Sequence, residues 1–281
     1  MSITTELTRV FELYQQPFMQ RAVLGGMLTG LTGGLLGSFT ILRQLSFFSD
    51  ALGHSALLGI SLGIVWGVSP TLVLLPFAVI FAIAINYLLE RTNLRTDALL
   101  NIVYSSSLAL AIIILSYVKQ YKGGLHSLLF GDILAIQEAD LLFSGVLLAA
   151  CIIFLGLTFR TQMLITLNEP MAIARGVSVS AHRNVFTVML ALLVAISVKA
   201  IGVLLVSAFV VIPASAARLL SRSFVHYAGL STLLGATSAL LGMFISALLR
   251  WPSGPSIVIT QLGIFLSAIA FSHWRGQPST N

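Results

Sequence analysis

Residues Phe47–Gly59 read F-F-S-D-A-L-G-H-S-A-L-L-G. The stretch begins as an apolar helix, admits Asp50 and His54, and returns at once to apolar residues that run to Trp66. An acid and an imidazole inside such a run are either a costly accident or a site. What surrounds them decides which.

The surroundings are apolar throughout. Of the 281 residues, 57% are hydrophobic and 9% charged, where a soluble domain carries roughly 25% charged residues. Mean hydropathy is +1.00. A membrane span needs about 20 mostly apolar residues. Candidate spans are 18–42, 46–67, 70–90, 98–118, 141–159, 185–198, 201–217, 227–249 and 254–273. The count is nine if the run 185–213 breaks near Lys199–Gly202, and eight if it does not. The two halves of that run are short for full spans. The predicted fold is all-α: one polytopic membrane domain over 1–281, with a polar N-terminal segment 1–17, a cytoplasmic segment 160–184 and a tail 274–281. Residues 125–136 form a short apolar patch that reads as a re-entrant or interfacial helix.

The net charge of +6 sits in the breaks between spans, with no basic stripe for nucleic acid. Arg91 and Arg95 share one break, Arg160, Arg175 and Arg183 the long polar segment, Arg218 and Arg222 another, and Arg275 the tail. Nine spans put all of these on one side, the cytoplasm by the positive-inside rule. The N-terminus is then outside and the C-terminus inside. The first residues lack a cleavable signal pattern. Cys151, the one cysteine, has no intrachain disulfide partner. The first span is dense in glycine. Gly26/Gly30 and Gly33/Gly37 are small-xxx-small pairs that let helix backbones approach closely, and Gly59, Gly63 and Gly67 repeat the pattern on the second span.

In such a chain an ionisable group at membrane depth is a functional candidate. Asp50 and His54 lie one helical turn apart on one face. A carboxylate and an imidazole stacked this way suit a divalent transition metal such as Mn(II), Fe(II) or Zn(II). They also suit a hydrogen-bonded pair that holds helices together. Asp97, Asn101 and Ser105 could line one face of the fourth span with oxygen ligands, or Asp97 could simply favour a helix N-terminus. Lys199 reads as a break facing outer water or as a snorkelling cation. His126 and Asp132 flank the short patch, and His182, His226 and His273 sit at span ends.

Asn168–Val177 reads N-E-P-M-A-I-A-R-G-V. Glu169 and Pro170 suit the start of a helix and Gly176 its C-cap, so a short helix is predicted outside the membrane. No G-x-x-x-x-G-K-[ST] and no H-E-x-x-H occurs in the sequence. The chain therefore has no P-loop for ATP and no zinc-protease motif, and energy must come from a gradient or a partner.

Four segments together carry a family resemblance. S-F-F-S-D-A-L-G-H-S-A-L-L-G-I-S-L-G, from Ser46, resembles the signature of permease subunits of ABC transporters for manganese, zinc and iron. L-F-G-D-I-L-A at 129–135, E-P-x-A-x-x-x-G at 169–176 and G-V-L-L-V-S-A-F-V-V-I-P-A-S-A-A-R at 202–218 follow in the expected order. The resemblance implies a homodimer in the bacterial plasma membrane with a separate cytoplasmic ATP-binding subunit and an extracytoplasmic metal-binding protein. It implies no permanently bound cofactor and no enzymatic activity of the chain itself. Asp50 and His54 would be transient ligands of the transported ion. Glu169, Ala172 and Gly176 would mark the helix that docks in the ATPase, with Pro170 and Met171 replacing two alanines of the older motif. The Ser105 region is where some zinc-type members carry a histidine; serine there leaves a path richer in oxygen, which leans toward manganese, with zinc and iron as the other cargoes. The reading that competes with this one is a stand-alone ion-coupled carrier or channel, with Asp50/His54 as a proton relay.

Overall fold

A computed structural model describes residues 3–92, 94–117 and 131–274, with the side chains of 3–7, 70 and 71 undescribed. Among the described residues the chain is helical, without strands. The helices are α1 (Ile3–Gln15), α2 (Pro17–Leu42), α3 (Ser46–Trp66), α4 (Pro70–Arg91), α5 (Thr96–Tyr117), α6 (Glu138–Leu157), α7 (Phe159–Leu167), α8 (Glu169–Ala174), α9 (Val179–Ile201), α10 (Val206–Leu220), α11 (Phe224–Leu249) and α12 (Ser253–Trp274). A 3-10 turn, Ile133–Ala135, precedes α6. Eight of the described helices are long and apolar enough to cross a membrane, and Val206–Leu220 is a shorter apolar one.

The expected break near Lys199–Gly202 is present, but the segments around it are displaced. The run predicted at 185–198 is the full-length α9, 23 residues long. Its first turns are polar, and they are helical because they pair with neighbours. Arg183 Nη2 donates to Glu90 Oε1 at 2.9 Å, and Asn86 Nδ2 donates to Asn184 Oδ1 at 2.7 Å and to Thr187 Oγ1 at 2.6 Å. Gly202 ends α9 at φ +89, a left-handed value open to glycine at little cost. The segment predicted at 201–217 begins later, as α10.

The side-chain contacts sort the helix ends into two groups. Arg43 reaches Gln162 and Thr166, Arg183 reaches Glu90, and Phe224 packs on Phe39 and Phe159. These contacts gather the α2–α3 corner, the end of α4, α7, and the starts of α9 and α11. At the opposite end, Arg9 Nη2 donates to Ala247 O at 2.7 Å, and Lys199 meets Asp140. The short α10 thus carries the chain from the Lys199 end to the arginine end. Among the described residues this places Arg91, Arg160, Arg183, Arg218 and Arg222 at one end, the distribution that the positive-inside rule associates with the cytoplasm.

The glycines of α2 set the centre of the bundle. Gly30 faces the backbone of Gly235 on α11 so closely that a Cβ on either would strike the other's carbonyl, and Gly34 meets Ser231 in the same way. The Ser231 hydroxyl donates to Gly34 O at 2.6 Å across this seam. Gly33 and Gly37 lie instead against the α10 backbone at Phe209 and Val210. In α3 the glycine pattern divides: Gly59 packs on Phe77 of α4, whereas Gly67 ends the helix at φ +68.

Residues 131–136 pack into the bundle, with a 3-10 turn at Ile133–Ala135 where a re-entrant or interfacial helix is expected; residues 125–130 and His126 lie outside the described residues. Ile133 and Ile136 are buried and face Gly26 and Gly25 of α2. Those glycines are eight to nine residues into α2, which is about 12–14 Å along its axis. Gly131, at φ +69, abuts the backbone of Ala200–Gly202. The Asp132 N–H donates to Lys199 O at 3.1 Å.

Candidate functional site

Asp50 and His54 lie in the first turns of α3, both partly enclosed. His54 Nε2 is 3.8 Å from Asp50 Oδ1, with the side chains 20% and 34% exposed respectively. That gap is too long for a hydrogen bond. A cation about 2.0–2.2 Å from each atom could still bridge them, since two such bonds span up to roughly 4.2 Å. Two groups from other elements face the pair. The Ser207 hydroxyl, in the first turn of α10, donates to Asp50 Oδ1 at 3.3 Å. The Tyr104 ring of α5 lies 5.0 Å from the His54 ring at 51°, and it packs edge-on against Phe47 at 6.4 Å. Neither Ser207 nor Tyr104 stands out in the sequence. Ser207 lies within the 202–218 segment, but only the fold brings it to Asp50. The Ser49 and Ser55 hydroxyls are buried and have no hydrogen-bond partner among the described residues.

The second predicted group is only partly assembled. Asp97 is exposed in the first turn of α5, where the helix dipole favours an anion. Asn101 and Ser105 are exposed on the next turns, with Ser105 Oγ donating to Asn101 Oδ1 at 3.4 Å. Tyr104 sits between them and reaches His54, so this face of α5 borders the Asp50/His54 site. The described contacts do not join Asp97 to it. Among the described residues, no group of three or more His, Cys, Asp and Glu could hold a metal ion. Whatever binds at Asp50/His54 therefore completes its coordination with hydroxyl, amide, backbone or water oxygens, or with groups beyond these residues.

The remaining candidates have structural partners. Asp132 caps the 3-10 turn, accepting from the Leu134 N–H at 3.0 Å. His182 and His273 bond the carbonyls one turn back, at Ser178 and Ile269, and His226 is exposed at the start of α11. Lys199, in the last turn of α9, is paired with an acid of α6. Its Nζ is 2.6 Å from Asp140 Oδ2, with the two side chains 31% and 20% exposed. The Asp140 carboxylate also accepts from the Gln137 N–H at 2.8 Å, closing the first turn of α6.

The predicted short helix is α8. Asn168 caps it, its Oδ1 accepting from the Met171 N–H at 3.0 Å. Gly176, at φ +76, ends it. The Gly176 N–H bonds Ile173 O at 2.9 Å and the Val177 N–H bonds Ala172 O at 3.0 Å, the paired bonds of a Schellman stop. Ala172 is buried, while Met171 and Ile173 are exposed. Arg183 Nη1 lies 3.8 Å from Glu169. Nearby, Arg43 is enclosed. Burial is the main cause that pushes its guanidinium pKa down to about 10, with Glu169 opposing the drop, so it stays charged at neutral pH.

A bundle of eight helices of membrane-spanning length, with a partly enclosed ionisable pair and a short capped helix between two spans, defines a multi-pass membrane protein. Residues 15–272 match the ABC 3 transport family, and the chain belongs to that family. The membrane protein ZnuB of the Haemophilus influenzae high-affinity zinc uptake system is 31% identical over 250 residues, covering 88% of this chain and 95% of its own. The manganese transport system membrane protein MntC of Listeria monocytogenes is 29% identical, covering 94% of each. PsaBC from Streptococcus pneumoniae, solved in complex with a Fab, superposes with a TM-score of 0.81 at 30% identity, covering 95% of each chain. The chain is thus an all-helical permease subunit of an ABC transporter in the bacterial plasma membrane.

Proposed function

We propose that this permease passes a divalent transition metal ion into the cytoplasm, with Asp50 and His54 as transient ligands. The observation that carries the reading is the pair itself: a carboxylate and an imidazole 3.8 Å apart, partly open and steadied by Ser207. The zinc uptake and manganese transport systems to which the relatives belong fit that donor set. A site of few, mixed ligands also releases its ion readily, as conduction requires. Manganese is the favoured cargo because Asn101, Ser105 and Ser207 make the surroundings rich in oxygen. Zinc and ferrous iron follow. The ion is cargo, and no resident cofactor is needed.

The path runs between two copies of the chain. Asn101, Ser105 and Ser106 are exposed on α5 in the single chain, and lipid is a poor neighbour for such a row. A second copy facing them would enclose water rather than acyl chains. Energy comes from a separate cytoplasmic ATP-binding subunit docked on α8. There Met171 and Ile173 stand exposed beside Glu169, Ala172 and Gly176, the residues of the docking motif. An extracytoplasmic metal-binding protein delivers the ion at the opposite end. The test is reconstitution in proteoliposomes with and without the ATPase. ATP-dependent Mn(II) uptake only with the ATPase supports the reading. Uptake by this chain alone without ATP would instead establish the stand-alone carrier.

A further inference from the structure

Arg43 stands at the corner between α2 and α3, two turns before Asp50. Its side chain is tied to two other helices. Nε donates to Thr166 Oγ1 at 3.0 Å, and Nη2 donates to Gln162 Oε1 at 2.6 Å and to Gln162 O at 3.2 Å. Gln162 is itself fully buried. The guanidinium also lies over two rings, 4.6 Å from Phe186 of α9 and 5.4 Å from Phe39 of α2. A planar fork fixed at several donors holds one geometry far better than an ammonium would.

The corner that Arg43 holds is under constraint. Gln44, the next residue, adopts φ +56, a left-handed value unfavourable to a side chain with a Cβ. The turn closes with Gln44 N–H to Ile41 O at 3.1 Å and Leu45 N–H to Thr40 O at 2.9 Å, and α3 begins at once. Strained backbone of this kind persists where its surroundings over-determine it. On the far side, α7 runs into α8 through a single residue, Asn168, which ends one helix and caps the other. From α8 to Asp50 the route is therefore α7, the Arg43 fork, the closed corner and the first turn of α3. Two further links leave this end: Glu169–Arg183–Glu90 leads to α9 and α4, and Phe159–Phe224–Phe39 runs from α7 through α11 to α2 by ring contacts alone.

We infer that Arg43 is the positioning residue through which movement of α7 and α8 reaches α3 and resets the Asp50–His54 face. This rests on the reading of α8 as the ATPase dock and of Asp50/His54 as the ion path. Two features of the link fit the role. It is short, and each joint in it has a discrete geometry, so displacement at α8 has little slack in which to dissipate.

The experiment measures Mn(II) uptake and ATP hydrolysis together, in proteoliposomes holding the full permease–ATPase complex, and reads ions moved per ATP. Arg43→Met keeps an apolar stem over Phe39 and Phe186 but removes the fork. Gln162→Leu/Thr166→Val cuts the same link from the α7 side and covers the case in which Arg43→Met fails to fold. Both are expected to assemble with the ATPase and to hydrolyse ATP within about twofold of wild type. Ions per ATP should fall at least about fivefold, the lower end of coupling between distant sites. Arg43→Lys, with its charge but no fork, should fall between. Unchanged ions per ATP in variants cut from either side overturns the inference, and so does a proportional loss of uptake and hydrolysis. Absence of uptake of Mn(II), Zn(II) and Fe(II) alike by the wild-type complex would overturn the metal reading instead.

Discussion

The ion pair between Lys199 and Asp140 offers a stability test with its own control. The pair is short, 2.6 Å, and mostly enclosed, with 31% and 20% of the side chains exposed. It joins the end of α9 to the start of α6, and the Lys199 carbonyl holds the re-entrant segment at Asp132. Lys199→Met removes the cation and leaves the Asp140 carboxylate largely out of water. Breaking a fully buried pair costs about 3–5 kcal/mol and an exposed one under about 1 kcal/mol. At this exposure the expected loss is about 1–3 kcal/mol, or roughly 2–10 °C in Tm for a chain of this size. The assay is thermal unfolding of the purified permease in nanodiscs. Adding Asp140→Asn neutralises the stranded charge while an amide oxygen still accepts from Gln137, so the double variant should regain at least half of the loss. A Lys199→Met protein that melts with wild type would refute the reasoning, as would a double variant no better than the single.

Three further outcomes follow from the packing and from α8. Gly30→Val drives a branched side chain into the Gly235 backbone, so Tm should fall by the equivalent of about 1–3 kcal/mol or more; Gly229→Val meets nothing within 4 Å and serves as the control in the same melts. Asn168→Ala removes the cap of α8, a loss of about 1 kcal/mol that should appear as faster hydrogen exchange at Met171 with the spans unchanged. Glu169→Arg places a cation opposite Arg183 and should weaken co-purification of the ATPase while leaving the permease folded.

Much of this architecture was legible because membrane spans are written in run length. The spans from 18 to 90 and from 227 to 273 needed only hydropathy. The helix now seen at 179–201 extends beyond its apolar run, because Arg183, Asn184 and Thr187 find partners on α4 that no window can register. Gly202 marked the break, but the start of α10 at Val206 goes with the close approach of Val203 and Val206 to Gly53 on α3. The site followed the same division. Asp50 and His54 share a face by spacing alone. Ser207, 157 residues away, and Tyr104 on another helix are brought to them only by packing. The Asp140 partner of Lys199 lies 59 residues earlier in the chain, and helix periodicity carries no information at that distance. Arg43 had no signal either, since its partners are on α7 and α9.

The most direct measurement of the central claim is Mn(II) uptake by the complete permease–ATPase assembly carrying Asp50→Ala or His54→Ala, with assembly checked by co-purification. The account predicts that each variant binds the ATPase as wild type does and loses uptake. Wild-type uptake in either variant would contradict it, and would leave Asp50 and His54 as a pair that merely holds α3 in place.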